Sequence, residues 1–265
     1  MSDGQWWGTH EVGPGGRLEL TLGPLTLWVS RFEREWRIGA TREGDSLRGG
    51  AELHVHPRGE GGGSVDDTEW DRFAQRETAS RVTLSPALMD RAFVVRPYAK
   101  LHLLPHQEVV VYVTTPLVVR VADGEATAPM VEVPVTQPSE TWHGRTTMDG
   151  SVCYAGRTHA RLDRAELEQR QSRATTAIWL LNRHEEPYWV ERLYVPVTRM
   201  ALWADEATGD LRTDDIAVTR GRDGEDVSVR PGAPVPGAVR VAPPRELQQG
   251  VSVLQMLNHF WGAGR

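Results

Sequence analysis

The sequence predicts an all-β protein: one or two antiparallel, β-sandwich-like (jelly-roll-like) units followed by a C-terminal helix. Three observations lead to this prediction. Many short segments alternate apolar and polar residues, which is the period-2 pattern of half-buried strands. Turns rich in the chain's 26 Gly and 17 Pro residues separate these segments. Helix-forming composition is confined to residues 163–173 and to the C-terminal end.

The alternation is clearest near the N-terminus, where Leu18, Leu20 and Leu22 are spaced by polar residues. Two further segments, 25–30 and 35–40, follow the Gly23-Pro24 turn as a strand and its hairpin partner. The remaining predicted strands are 51–56, 82–84, 93–95, 100–104, 108–121, 131–135, 151–155, 175–181, 189–197, 200–203 and 216–219. Because residues 136–150 are rich in turn formers, we predict two β-sandwich-like halves, 12–136 and 137–228. One extended sandwich is the alternative.

Residues 229–265 differ in composition from the rest of the chain. A Pro- and Gly-rich linker is predicted over 230–244, and helical spacing of apolar residues follows over 246–261. The wide apolar face of this predicted helix must be buried, either on the protein's own sheet or against a second subunit or another protein. In the second case Leu254, Leu257 and Trp261 would make the contact.

Composition bounds the class of partner and the compartment. The net charge is −6 and the arginines are interspersed with acidic residues, which disfavours nucleic-acid binding. The single cysteine, Cys153, excludes an internal disulfide and a Cys-rich zinc site. The first residues lack the basic and apolar parts of a signal peptide, and no apolar run is long enough to span a bilayer. We therefore expect a soluble cytoplasmic protein that is not itself membrane-spanning.

One segment has the residue types of a metal site. His54 and His56 are two residues apart, so on a strand both side chains point to the same face. With Glu60 they resemble the first motif of the cupins, in which two histidines and a glutamate bind a divalent metal such as iron or zinc. The second cupin motif is not visible. A metal-dependent enzyme using these three residues is one hypothesis, and a solvent-facing side of a strand is the other.

A second candidate site lies at the junction of the two predicted halves. Trp142, His143 and Arg145 follow one another in a turn-rich stretch, where an exposed aromatic ring and cationic side chains would form a binding site. The alternative is a tryptophan wedged between two sheets. A carbohydrate-binding module is a further hypothesis, because the chain has 10 tryptophans. Trp6, Trp7 and Trp261 are the expected surface residues among them, and Trp28, Trp179, Trp189 and Trp203 are expected in the core.

Several motifs together resemble an uncharacterised prokaryotic family, the domain of unknown function 432. They are Val94-Val95-Arg96-Pro97 through Pro116-Leu117-Val118-Val119, Thr141-Trp142-His143-Gly144, Gly150-Ser151-Val152-Cys153-Tyr154, Leu181-Asn182-Arg183 and Arg192-Leu193-Tyr194-Val195-Pro196-Val197, together with residues 28–36. The resemblance covers residues 14–222 and implies a β-rich protein without an established activity. It also implies a membrane-channel partner. From the residues and the resemblance together we expect a non-enzymatic binding or regulatory protein that acts through protein–protein contacts.

Overall fold

The computed structural model describes residues 5–43, 49–58, 69–144, 148–168, 170–222 and 224–246. Within these ranges the chain forms strands and two 3-10 turns, and no α-helix. The strands are β1 Gly8–Glu11, β2 Arg17–Leu22, β3 Leu25–Arg31, β4 Glu35–Arg42, β5 Ala51–His56, β6 Trp70–Ala74, β7 Arg81–Leu88, β8 Phe93–Pro97, β9 Leu101–Leu103, β10 Glu108–Asp123, β11 Val131–Pro134, β12 Glu140–Gly144, β13 Gly150–Thr158, β14 Arg173–Asn182, β15 Tyr188–Val190, β16 Leu193–Val195, β17 Leu202–Asp205, β18 Leu211–Thr213, β19 Asp215–Gly221, β20 Gly224–Arg230 and β21 Ala238–Ala242. The all-β prediction is confirmed.

None of the described residues belongs to a helix of the length and apolar character that crossing a membrane would require.

The first compact unit takes its described residues from Met1–Ala87, Pro116–Gln137 and Gln169–Ser172. Its five-stranded sheet has the order β5-β2-β3-β4-β6, and every neighbouring pair is antiparallel. One face of this sheet is apolar and buried, because alternate residues along each strand point to the same side. The buried residues are Leu18, Leu20, Leu22, Leu25, Leu27, Val29, Trp36 and Ile38.

Two buried tryptophans are fixed in this unit by polar partners. Trp36 is fully buried, and its indole N–H donates to the Asp123 carboxylate at 2.7 Å. Trp6, which the sequence analysis expects on the surface, is 1 % exposed, and its N–H donates to the Gln171 carbonyl at 3.3 Å. Burying an indole is favourable when its single donor finds an acceptor. The prediction that Trp6 is a surface residue is therefore wrong.

The second unit takes its described residues from Leu88–Thr115, Pro138–Glu168 and Arg173–Arg265. A four-stranded sheet has the order β12-β13-β8-β16, and β9 pairs with β15. Three pairings are parallel, namely β13 with β8, β14 with β18 and β14 with β19. The prediction of antiparallel units is wrong at these pairings. Parallel neighbours need long crossover connections, so short-range sequence patterns do not reveal them.

The buried carboxylate of Asp214 accepts three hydrogen bonds in this unit. One oxygen accepts from the Ala201 amide at 2.7 Å, and the other accepts from the Trp203 indole at 2.9 Å and the Gly232 amide at 3.1 Å. Asp214 is 2 % exposed, so these donors take the place of water. The carboxylate thereby joins β17, the end of β18 and the loop after β20.

The described structure differs from the sequence analysis in how the chain is divided. The two units interleave along the chain, whereas the predicted halves, 12–136 and 137–228, are contiguous. Within the predicted linker, β21 pairs with β17. A 3-10 turn, Arg164–Glu166, lies in the helix-forming stretch 163–173, and its Asp163 cap accepts from the Ala165 amide. The predicted helix over 246–261 lies outside the described residues except for Glu246, whose amide donates to the Thr198 carbonyl.

Replacing Asp214 by alanine would leave three donors without their acceptor, among them the buried amide of Ala201. We expect Asp214→Ala to lower the free energy of unfolding by about 3 kcal/mol, since hydrogen bonds to a charged group are worth about 1.5–3 kcal/mol. Urea unfolding followed by circular dichroism measures the change. Asp226→Ala on β20 is the matched control and should change the free energy by no more than about 0.5 kcal/mol. Equal losses for the two variants would contradict this role of Asp214.

Candidate functional site

The β12–β13 hairpin carries the binding residues that the sequence analysis predicts. Trp142 lies on β12, directly opposite Val152 on β13, and His143 lies opposite Ser151. Successive residues of a strand point to opposite faces. The hairpin therefore places Trp142 on one face of the four-stranded sheet and His143 on the other, so the two side chains belong to different surfaces.

The Trp142 face of the hairpin is apolar and open to solvent. Trp142 is 44 % exposed and Val152 is 41 % exposed, and we call this pair the hairpin patch. The indole lies across the strand from Gly150, where an added Cβ atom would be 2.9 Å from the ring. Gly150 thus leaves room for the ring to lie flat against the neighbouring strand. The two side chains form a small exposed apolar area on this face.

The edge of β12 that lies away from β13 has no strand partner among the described residues. The Ala155 amide donates to the Ser139 carbonyl, and the Tyr154 amide donates to the Ala92 carbonyl on the β8 side. Ser139 and Ala155 therefore form a hydrogen-bonded pair, and such pairs alternate with non-hydrogen-bonded ones along an antiparallel ladder. Trp142 and Val152 form a non-hydrogen-bonded pair, so the backbone N–H and C=O of Trp142 point away from β13. Among the described residues, β12 is therefore an edge strand of the four-stranded sheet.

The opposite face of the sheet carries a cluster formed by His143, Tyr194 and Cys153. The His143 ring stacks on the Tyr194 ring, with centroids 4.5 Å apart and planes 17° from parallel. Tyr194 also packs against the buried group that contains Cys153. Burial, with a smaller contribution from the charge of Arg192, lowers the pKa of His143 to about 4. Burial also raises the pKa of the Cys153 thiol.

A cleft lies on this same face, where β12 begins. Its volume is about 400 Å³. Its polar lining residues come from β8, β12, β13 and the residue before β12: Arg96, Ser139, Glu140, Thr141 and Arg157. Val94, Ala155 and Gly156 complete the lining. The Glu140 carboxylate is bound by the guanidinium of Arg91. The concave surface, lined by apolar residues together with charged and hydroxyl-bearing ones, makes this cleft a candidate ligand site.

The structure places two of the three predicted metal ligands together. His54 and His56 lie on β5, opposite Glu19 and Arg17 of β2, and their ring centroids are 6.1 Å apart. His56 Nε2 lies 3.7 Å from the Glu19 carboxylate. Glu60 lies outside the described residues, and no group of three or more candidate metal ligands occurs within them. The metal site and the cupin-like enzyme therefore remain predictions.

Four predicted binding residues, namely Arg145, Leu254, Leu257 and Trp261, lie outside the described residues. Two tryptophans expected in the core have other surroundings. Trp189 is 54 % exposed and lies with its ring centroid 3.6 Å from that of His102. Trp28 is partly exposed on the face of β3 opposite the buried Leu27 and Val29. The period-2 pattern of β3 predicts that placement, because Leu25, Leu27 and Val29 already occupy the inner face.

Trp28 shares the outer face of the five-stranded sheet with a second tryptophan, Trp70. Gly39 on β4 is the register partner of Trp28 on one side and of Trp70 on the other. The two tryptophans are thus two strands apart, about 10 Å between backbones, with only a glycine between them. The guanidinium of Arg17 lies 5.6 Å from the centre of the Trp70 ring. We call these two residues the outer-face tryptophans.

Comparison with known proteins identifies a family and no characterised relative. The family model described as protein of unknown function (DUF432) matches residues 6–257 and confirms the resemblance found in the sequence. No curated protein and no solved structure matches the chain. The match extends the region of resemblance beyond 14–222 at both ends.

The lowered pKa of His143 predicts a pH-dependent loss of stability. Between about pH 6.5 and pH 4 the unfolded chain binds a proton at this histidine while the folded chain does not, so stability falls as the pH falls through this window. Because the ring is partly exposed, we expect a contribution of about 1–2 kcal/mol. His143→Gln should remove this part of the dependence, which urea unfolding at several pH values measures.

A second variant tests the cause of the shift. Tyr194→Ala uncovers the His143 ring and should reduce the pH dependence without removing it, because the charge of Arg192 remains. If the wild type and His143→Gln lost the same stability between the two pH values, the assignment to His143 would be wrong.

Proposed function

Since the chain belongs to the DUF432 family of proteins of unknown function, we propose a function from its geometry: it is a non-enzymatic binding protein that holds an extended segment of a partner protein along β12. The open edge of β12 next to the exposed Trp142 carries the proposal. An extended segment pairs with such an edge through backbone hydrogen bonds, and its side chains find specificity in adjacent pockets.

The hairpin patch supports the proposal energetically. An indole that is nearly half exposed offers a large apolar surface whose burial favours association, and tryptophan is prominent among the residues that dominate binding energies. Trp142 is also held in place by its contact over Gly150, so little conformational freedom is lost on binding. A partner segment that pairs with β12 would carry an apolar side chain on the Trp142 side.

Three finer expectations belong to this proposal. We propose that each unit is β-sandwich-like, because the buried face of the five-stranded sheet needs an apolar layer to cover it. We propose the cytoplasm as the compartment, a location that suits the unpaired, buried thiol of Cys153. The membrane-channel partner implied by the family resemblance, and self-association through the C-terminal residues, remain predictions.

The outer-face tryptophans favour a second candidate function, carbohydrate binding. Two tryptophans on one sheet face, on strands about 10 Å apart, offer two apolar ring surfaces on which the sugar rings of an oligosaccharide could stack. Hydrogen-bonding groups lie on the same face, since Glu19 and His54 are register partners on the neighbouring strands. This surface is formed within the first unit alone.

The first prediction from the proposal concerns Trp142. We expect a displayed library of random peptides about 12 residues long to yield peptides that bind the wild-type chain and slow hydrogen exchange in β12. Trp142→Ala should weaken these peptides by at least about 10-fold, because the main apolar contact is removed. Isothermal titration calorimetry measures the affinity, and exchange by mass spectrometry locates the binding.

Trp189→Ala is the matched control, since Trp189 is also an exposed strand tryptophan of the second unit but lies on β15. Its peptide affinity should stay within about two-fold of the wild type. Selected peptides that lose as much affinity with Trp189→Ala as with Trp142→Ala, or that leave exchange in β12 unchanged, would refute the proposed site.

A separate prediction tests the outer-face tryptophans. If oligosaccharides bind there, tryptophan fluorescence should change saturably across a glycan panel, and Trp28→Ala or Trp70→Ala should each weaken binding by about 10-fold or more, because one stacking surface is lost. Trp203→Phe is the control, because Trp203 donates its indole N–H to Asp214 and does not lie on this face. This variant should show the same glycan-dependent change in fluorescence as the wild type. Unchanged fluorescence with every glycan would exclude this second function.

A further inference from the structure

Two arginines lie side by side in the cleft at the start of β12. Arg96 on β8 and Arg157 on β13 are register partners in the parallel pair, so their side chains leave the sheet next to each other on the same face. Both residues are exposed. Within the described part of the chain, neither guanidinium forms an ion pair with a carboxylate, and that of Arg157 stacks on the ring of Tyr98.

This arrangement costs free energy unless an anion is bound. Like charges directly opposite each other on neighbouring strands are destabilising, and arginine does not escape the repulsion by losing its proton. The chain as a whole carries a net charge of −6, so acidic residues for pairing are abundant elsewhere. Among the described residues that line the cleft, Glu140 carries the one carboxylate, and it forms an ion pair with Arg91.

One of the two guanidinium groups is held in place before any ligand arrives. The Arg157 guanidinium lies over the Tyr98 ring at 4.5 Å, and the same ring packs against His159 at a centroid distance of 4.7 Å. Tyr98 is 57 % exposed, so this stack stands at the surface beside the cleft. A stacked guanidinium keeps its N–H groups free for an oxyanion while its orientation is fixed.

The rest of the lining supplies matching donors. Ser139 and Thr141, which both carry a hydroxyl group, line the cleft, whose volume is about 400 Å³. Two guanidinium groups and two hydroxyls form a set of donors that suits an oxyanion with several acceptor oxygens, and their two positive charges balance a phosphate group of charge about −1.5 to −2.

We propose that this cleft is a binding site for a dianionic phosphate group, held by Arg96 and Arg157. The group belongs either to free phosphate or to a phosphate monoester, since the chemistry recognised is the same. The site is distinct from the peptide-binding function proposed for β12, because its charged contacts are the Arg96 and Arg157 side chains of β8 and β13, and the backbone groups at the edge of β12 take no part in it.

The experiment titrates the full chain with inorganic phosphate and, separately, with glycerol phosphate. Calorimetry at low ionic strength and about pH 8 keeps the phosphate dianionic and the screening weak. We expect saturable binding of at least one of the two anions, above a chloride control of equal ionic strength. Binding of both shows that the phosphate group suffices, and binding of the monoester alone shows that its carrier contributes.

Variants locate the binding. Arg96→Gln and Arg157→Gln should each weaken it by at least about 10-fold, and Tyr98→Leu should weaken it less, because the guanidinium is retained but loses its support. Arg76→Gln, an exposed arginine of the first unit, is the matched control and should bind like the wild type. Circular dichroism spectra confirm that each variant is folded.

Two results would overturn the proposal: the absence of saturable binding by both anions, or equal binding in the wild type and in the folded Arg96→Gln and Arg157→Gln variants. Trp142→Ala separates this site from the peptide site. It should keep phosphate binding while losing peptide binding, so either proposal can fail without the other.

Discussion

The parallel pairing of β8 with β13 is the constraint on which the candidate site depends. This pair forms the centre of the four-stranded sheet, with β12 added to one side and β16 to the other. Residues 98–149 connect β8 to β13. Because the two strands are parallel, this connection must carry the chain back to the end of the sheet at which β8 begins. Once the register is set, residues that are distant in sequence lie side by side, among them Arg96 and Arg157.

The same register gives the sheet two different faces. Alternation along β12 places Trp142 beside Val152 on an exposed apolar face, and places His143 on the face that also carries Tyr194, Cys153 and the cleft. Adjacent residues in sequence therefore serve different surfaces. Trp142 and His143 are predicted from the sequence as one candidate site. In the structure Trp142 lies on the exposed face of the sheet, and His143 lies half-buried on the opposite face, stacked on Tyr194.

Local patterns were sufficient to predict many of the strands and the β3–β4 hairpin, but not β12 or β21, which lie in stretches predicted as turn-rich and linker, nor the long-range pairings. The alternation of Leu18, Leu20 and Leu22 predicts β2 and its inner face, and both are present. Trp36 and Trp28 are both strand tryptophans, yet only Trp36 is buried, because burial depends on which face its strand turns inward and on the carboxylate of Asp123 that receives its N–H. The partner of β8 could not be predicted either, since no local signal links residues 93–97 to residues 150–158.

The pKa shifts in the His143 cluster bear on the choice between catalysis and binding. A nucleophilic thiolate needs a lowered cysteine pKa, which a protonated histidine beside it provides. Here burial acts in the opposite direction on both groups: it raises the pKa of the Cys153 thiol and lowers the pKa of His143 to about 4. Both groups are therefore neutral at physiological pH. His143 stacks on Tyr194, which in turn packs against the buried group that contains Cys153, so the three side chains form one packed layer on this face of the sheet.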